Sequence, residues 1–354
     1  MSRTETIVDL RSDTVTKPCA DMLAHMLAAN VGDDQYQDDQ ETNLLQEEVA
    51  DLLGKAKALW VPSGTMANQI ALRTVTSPGD DVIVAKQSHA VWHEAGGGAA
   101  NAGVHFTEVG SDGLFDELDF SSAIKPRGHH IYAPTTMVQI ENTHNRCGGN
   151  VFGMKDIEAI GKKAKANNVF SYMDGARLWN ASKASGDSLS DLATPVDAVM
   201  VSLSKGLGAP GGSVLAGSEE FIGLATRQRR MLGGAMRQTG YYAAAGRFAI
   251  MNNLEKLNGD HQNAKLIAAE LAQCSSIEFD ASAVPTNIIV FKLGGEAADA
   301  LSLVRSLKTK NVLVNALDKR TIRLVTHLGV NKRNCEFAAR TIIAQVNNQN
   351  AQTA

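Results

Sequence analysis

Apolar positions recur along this chain with two periods. The runs Val82-Ile83-Val84-Ala85, Met137-Val138-Gln139-Ile140, Val169-Phe170-Ser171-Tyr172-Met173 and residues 198–203 are of strand length and apolar almost throughout. Between them lie stretches such as residues 154–167, whose apolar positions follow helical spacing. Continuous apolar strands alternating with helices predict an α/β fold with a mostly parallel central sheet, covered by helices on both faces. Nearer the start, residues 17–30 predict a helix with Pro18 in its first turn and Met22, Leu23, Met26 and Leu27 in one stripe. Leu44, Leu45, Val49, Leu52 and Leu53 form a second stripe, ended by Gly54.

The texture changes near Tyr241. A long helical stretch is expected through Met251, Leu254 and Leu257 to Leu271. Strands follow at residues 287–292, 312–314 and 321–326, with a helix around 301–307. This predicts a smaller C-terminal α+β domain. The division falls at a large domain of residues 1–245 and a small one of 246–354.

Composition narrows the function. With 354 residues and 44% hydrophobic content, the chain has the make-up of a core-forming globular protein. A net charge of -4 without any basic block argues against nucleic acid. No apolar run is long enough to span a membrane, and the first residues lack the apolar centre of a signal peptide. Cys19, Cys147, Cys274 and Cys335 are widely spaced, which points to reduced thiols in the cytoplasm rather than a zinc site.

Lys205 carries the first chemical signal. It follows the apolar run ending in Ser202-Leu203-Ser204 and precedes Gly206-Leu207-Gly208. Strand ends of parallel sheets are where such folds bind ligands. A desolvated lysine there can lose its proton and form a Schiff base with an aldehyde; a solvated surface lysine is the plainer reading. Ser63-Gly64-Thr65 precedes the helical run Met66-Ala67-Asn68-Gln69-Ile70. A helix start of this kind suits a phosphate, or is an ordinary cap. Asp174-Gly175-Ala176-Arg177 follows a strand, so Asp174 could face a cationic ring nitrogen and Arg177 a carboxylate, or the two could be a structural ion pair. Glu141-Asn142-Thr143-His144-Asn145 closes another strand, and five polar residues in a row are not expected in a core. His144 could move a proton near neutral pH. His89 and His93, four apart beside Glu94, lack a third ligand at metal-site spacing, so no metal is expected and His89 better suits stacking on a flat ring. Gly206-x-Gly208-x-x-Gly211 matches a dinucleotide fingerprint in letters alone. Pro210 interrupts it, a strand rather than a helix follows, and arginines stand where an acidic residue should bind ribose.

Together these segments resemble the fold type I pyridoxal-phosphate enzymes and, among them, the low-specificity L-threonine aldolases. The resemblance runs from Asp9-Leu10-Arg11-Ser12-Asp13-Thr14 through Val31-Gly32-Asp33-Asp34, Pro62-Ser63-Gly64-Thr65-Met66-Ala67-Asn68, Glu141 to Asn145, Asp174 to Arg177, Ser202 to Pro210 and Met236-Arg237-Gln238 to Arg323-Leu324-Val325-Thr326-His327, all in family order. It implies that Lys205 holds pyridoxal 5'-phosphate, that Asp174 binds the pyridine nitrogen and that His89 stacks on the ring. Gly64, Thr65 and Met66 are implied to hold the phosphate, with Arg230 and Arg237 reaching it from a neighbouring subunit of a dimer or tetramer. Ser12, Arg177 and Arg323 are implied to bind the substrate carboxylate, with His144 near the β-hydroxyl. The implied reaction is retro-aldol cleavage of L-threonine, L-allo-threonine and related β-hydroxy-α-amino acids to glycine and an aldehyde. His144 or a water would be the base. A β-eliminating lyase or an aminotransferase of the same fold is the alternative. The chain departs from the family at Val91 and Trp92, where a tyrosine is frequent, at Gln40, and after Asn145, where a proline is frequent.

Overall fold

The computed structural model describes residues 7–295 and 299–351; the start of the chain, residues 1–6, lies outside them. A short first strand, β1 (Val8–Asp9), stands apart from the main sheet. Seven strands build that sheet: β2 (Lys57–Val61), β3 (Asp81–Ala85), β4 (His105–Val109), β5 (Thr135–Glu141), β6 (Phe170–Gly175), β7 (Ala198–Ser202) and β8 (Ser213–Gly217). Their order is β2-β8-β7-β6-β5-β3-β4. Only β8 runs against its neighbours; the remaining pairings are parallel. The expected α/β architecture is therefore present.

The central strands are largely apolar because alternate side chains enter two different cores; the edge strand β4, with His105, Thr107 and Glu108, is not. Ile83, Ala85, Val199 and Val201 face helices Gln40–Leu52, Met154–Ala166 and Gly240–Asn253. Val82, Val84, Ala198 and Met200 face helices Gly64–Val75 and Glu219–Met231. Each fully buried aliphatic side chain contributes about 1.5–3 kcal/mol of transfer free energy, so neither face tolerates a polar alternation.

The C-terminal region has β9 (Ile277–Glu278), β10 (Ile288–Leu293), β11 (Val312–Leu313), β12 (Asn315–Ala316) and β13 (Thr321–Val325). An antiparallel sheet β12-β13-β10-β9 packs its Ile289, Phe291, Ile322 and Leu324 into a third core. The N-terminus joins this region, since β1 pairs in parallel with β11 and buries Val8 and Leu10 there.

Two helix expectations need correction. The helix expected over 17–30 spans only Ala20–Leu27, with Cys19 as its cap and Pro18 outside it. Met22 is buried while Leu27 is 84% exposed, because one neighbouring helix covers only part of the stripe. The single stretch expected up to Leu271 is two helices, Gly240–Asn253 and Leu257–Leu271. A tight turn closes the first, with the Lys256 N–H donating to the Asn253 carbonyl at 3.1 Å. Both halves are apolar at helical spacing, so periodicity runs through the break.

Parallel strands end on one edge of the sheet. Beyond β3, β5, β6 and β7 the chain delivers His89, His144, Arg177 and Lys205 to that edge, and β2 leads there to Ser63. Nearby, Arg229 reaches from its helix to Asp34 at 2.6 Å and to the Trp60 carbonyl at 2.9 Å, all three groups being buried. Removing one partner of a buried ion pair strands the other charge, at a cost of about 3–5 kcal/mol. Arg229→Met should therefore move the denaturant midpoint down by an equivalent amount; a midpoint within error of the parent would show that this pair does not hold the corner.

Candidate active site

Lys205 sits just past β7, where Gly208, at φ 79°, turns the chain back and donates its N–H to the Lys205 carbonyl at 2.9 Å. The amine has no hydrogen-bond partner among the described residues and lies within the field of Asp174, Asp13 and Glu141. Burial and the nearby Arg177 hold it below the ordinary lysine value, against the pull of those carboxylates. Such an amine is readily freed of its proton, as a nucleophile requires.

Asp174, at the end of β6, lies in register beside Glu141 of β5. Its Oδ1 accepts the Ala176 N–H at 3.1 Å and its Oδ2 accepts Asn68 Nδ2 at 2.8 Å. Burial, reinforced by Glu141, raises its carboxyl above the usual range, the state of an acid that lacks a cationic partner. A protonated ring nitrogen would supply one. His89 is partly buried beside it. Its backbone N–H donates to Glu141 at 2.6 Å, and its ring Nδ1 lies 3.0 Å from Glu94. Burial lowers His89, but the Glu94 hydrogen bond and the charges of Asp174 and Glu141 prevail and raise it.

The helix Gly64–Val75 opens toward the same edge. Ser63 caps it by accepting the Met66 N–H at 3.2 Å, so that donor is engaged within the chain. The Gly64 and Thr65 N–H groups precede any intrahelical partner. Gly64 has no room to spare: a Cβ there would come 3.1 Å from the Met200 methyl and 3.6 Å from Ser213 Oγ. Ser213 Oγ is itself buried without a hydrogen-bond partner. Free N–H groups at a positive helix end beside an orphaned hydroxyl fit a phosphate.

The third cluster centres on two buried arginines. Arg177 donates from Nε and Nη2 to the two oxygens of Asp13 at 2.7 and 2.8 Å. Burial works against ionisation of Asp13, yet Arg177 holds its carboxyl well below the usual range. The remaining Arg177 Nη1 and Arg323 Nη1 converge on one oxygen, Asn145 Oδ1, at 2.9 and 3.0 Å. Arg323 also reaches the Arg11 carbonyl at 3.2 Å, while its Nε is buried and unpartnered. Burial, with Arg177 beside it, lowers Arg323 to about 10. Two guanidiniums sharing one close carboxylate leave a surplus positive charge in a desolvated corner, which suits an anion with two oxygens. Ser12 borders this corner, its Oγ accepting the Thr14 N–H at 3.2 Å and lying 3.3 Å from Asp13.

Residues 141–145, expected outside any core, are all buried. They are braced instead: Glu141 accepts the N–H groups of His89 and Asn145, the Asn142 side chain accepts the Phe152 N–H at 3.2 Å, and the His144 ring packs under Gly113. A Cβ on Gly113, which has φ 76°, would lie 2.3 Å from that ring. His144 Nδ1 accepts the Cys147 N–H at 3.3 Å, whereas Nε2 is buried, lacks a hydrogen bond and lies 3.7 Å from Glu141.

Lys205, Asp174, His89, Arg177, Arg323 and Ser12 thus gather at one edge with the helix start. Arg230 and Arg237 stand exposed elsewhere on their own chain, Arg237 pairing with Asp33 at 3.2 Å. Asp13, Asn68, Glu94, Asn145 and Ser213 join the site without having been singled out. Asp13, Asn68 and Asn145 lie inside the motifs quoted above and Glu94 beside the His89–His93 pair, though none of these carried a predicted role; Ser213 had no spacing that marked it. His89, Glu94 and Asp174 bring ligand-type atoms within 4.8 Å of one another, but Asn68 Nδ2 donates to both carboxylates and fills the gap with N–H groups.

The pattern of the beta-eliminating lyase family matches residues 9–293. A low specificity L-threonine aldolase of Escherichia coli (strain K12) is 39% identical over 328 residues, covering 92% of this chain and 95% of its own. A low-specificity L-threonine aldolase of Arabidopsis thaliana is 41% identical over 325 residues, covering 90% and 91%. The fold matches that of a threonine aldolase from Leishmania major with a TM-score of 0.80 at 19% identity, over 96% of this chain and 99% of the other. Strand ends, arginine corner and sequence kinship agree, and the chain belongs to the low-specificity L-threonine aldolases, within the beta-eliminating lyase family.

Proposed function

We propose that this protein cleaves L-threonine, L-allo-threonine and related β-hydroxy-α-amino acids to glycine and an aldehyde, with pyridoxal 5'-phosphate as cofactor. The observation that carries this reading is the convergence of Arg177 and Arg323 on a single Asn145 oxygen beside Lys205 and Asp174. When bound, the cofactor supplies an electron sink for the pair released as the Cα–Cβ bond breaks. Lys205 would hold it through its amine, Asp174 would keep a proton at its ring nitrogen and His89 would cover its face. Gly64, Thr65 and Ser213 would hold the phosphate. Met66 would add its N–H only by sharing it with Ser63.

Arg177, Arg323 and Ser12 would grip the substrate carboxylate, with Asn145 yielding its oxygen's place between the guanidiniums. Fixing the carboxylate fixes rotation about Cα, so that the Cα–Cβ bond is held at one angle, a positioning effect. The β-hydroxyl must then lose its proton. Because His144 Nδ1 accepts a backbone N–H, neutral His144 keeps its hydrogen on Nε2. That favours a water as the base, steadied by the His144 Nε2–H. Arg230 and Arg237, exposed on this chain, would serve a partner subunit's phosphate in a dimer or tetramer. We also read the chain as a cytoplasmic protein of two domains, divided near residue 245, with β1 docked on the smaller. Among the described residues no helix is long and apolar enough to cross a membrane.

Incubation with L-threonine should release glycine and acetaldehyde; keto acid or ammonia as the main product would instead mark a transaminating or eliminating enzyme. Lys205→Ala should abolish the near-visible absorbance of the cofactor-bound protein, and its persistence would remove Lys205 from the anchor role. Arg323→Gln should lower kcat/KM about 10–100-fold, the loss of a charge-assisted contact, with the cofactor spectrum unchanged. His144→Gln should keep kcat within about tenfold of the parent. A fall of more than about a hundredfold, the range of a lost general base, would make His144 the base.

A further inference from the structure

Glu94 has no place in the proposed chemistry, yet both of its carboxylate oxygens are engaged within the chain. It is 4% exposed, and its partners are all neutral or imidazole groups. Oε1 takes Asn68 Nδ2 at 2.6 Å and His89 Nδ1 at 3.0 Å, and Oε2 takes Gln69 Nε2 at 2.7 Å. A buried charge so held is costly unless every lone pair is used. The same Asn68 amide nitrogen gives its other hydrogen to Asp174 Oδ2 at 2.8 Å. Its orientation is not free, because the Tyr172 hydroxyl donates to Asn68 Oδ1 at 2.8 Å. Burial, with Asp174 and Glu94 close by, pushes the Tyr172 phenol well above its ordinary value, so it remains a donor. Tyr172 thus turns the NH2 of Asn68 toward the two carboxylates, and Asn68 ties Asp174 to Glu94.

We propose, resting on the cofactor reading above, that Glu94 is a positioning residue that fixes His89 and Asp174 as one rigid pair. Through Nδ1 it sets the plane of the His89 ring and places that ring's hydrogen on Nδ1. Through Asn68 it sets the rotation of the Asp174 carboxylate. The two side chains proposed to meet the cofactor from its face and from its ring edge are then held in register by a single group that touches neither the cofactor nor the substrate.

The test compares native protein, Glu94→Ala and Glu94→Gln. Each is stripped of cofactor and titrated with pyridoxal 5'-phosphate, following absorbance. The histidine ring nitrogens of the loaded native protein and of Glu94→Ala are read by 15N NMR at alkaline pH, with His89 assigned from a His89→Asn spectrum. Glu94→Ala should bind the cofactor at least about tenfold more weakly, as expected when buried donors lose their acceptor. Glu94→Gln keeps an acceptor for His89 and Asn68, and should restore binding to within about threefold. The native His89 should carry its hydrogen on Nδ1, and in Glu94→Ala it should move to Nε2. A loss caused by general loosening would leave that tautomer unchanged, and this result would overturn the proposal. So would a native His89 protonated at Nε2, or Glu94→Ala binding as tightly as the parent. Failure of the native protein itself to take up pyridoxal 5'-phosphate would overturn the cofactor reading, and this proposal with it.

Discussion

The paired hydrogen bonds between Asp13 and Arg177 hold three separate parts of the molecule to one point. Arg177 follows β6 of the main sheet, and Asp13 follows β1, which belongs to the C-terminal region's strands. Asn287, just before β10, adds a longer contact to the same Asp13 oxygen at 3.5 Å. Both charged groups are buried, so neither can be spared by the other without a large desolvation penalty. The pair also sets the charge balance of the site. With Asp13 committed to Arg177, Arg323 is the cation left over, and the corner is short of one anion.

The same sheet shows how the setting of a buried carboxylate determines its use. Asp81 opens β3 at the end opposite the site and is saturated: His105, Thr107 and Thr135 reach it at 2.6–3.0 Å, and Lys125 at 2.5 Å. Burial would raise its carboxyl, but these partners lower it, and it stays ionised as a structural tie across β3, β4 and β5. Its folded value lies below its unfolded one, so its contribution to stability is present above the ordinary aspartate range and fades as the pH falls below it. Asp174, near the end of β6, has two neutral donors and, among the described residues, no cationic hydrogen-bond partner, and its carboxyl is raised. One aspartate is finished by the fold and the other is left wanting a positive partner.

What could be read from sequence followed from simple geometry. A strand covered on both sides must be apolar along its whole length, and a parallel sheet must deliver its following residues to one edge. Lys205, Asp174 and Arg177 were therefore legible as strand-end residues before any contact was known. Glu94, Asn68 and Ser213 were not, because their meaning lies in contacts between distant elements: Asn68 bonds to residues 26 and 106 positions away. Residues 141–145 misled for a related reason. Polar side chains can enter a core when other parts of the fold receive them, as Phe152 and Arg177 receive Asn142 and Asn145, and such partners are not written in local composition. The break between helices Gly240–Asn253 and Leu257–Leu271 was hidden because each half is apolar at the same spacing.

The pairing of β1 with β11 joins residues 8–9 to residues 312–313. Synthesis proceeds from the N-terminus, and domains fold largely as units while the chain emerges. The main sheet takes no strand beyond β8, and the helices Glu219–Met231 and Gly240–Asn253 that cover its faces follow at once, so its strand ends can be in place before the C-terminal strands exist. Ser12 and Asp13 wait for a strand made some three hundred residues later, and Arg323 is later still. The proposed carboxylate corner is thus among the last parts of this protein to come into being, and a nascent chain cut short before β11 would carry the lysine without it.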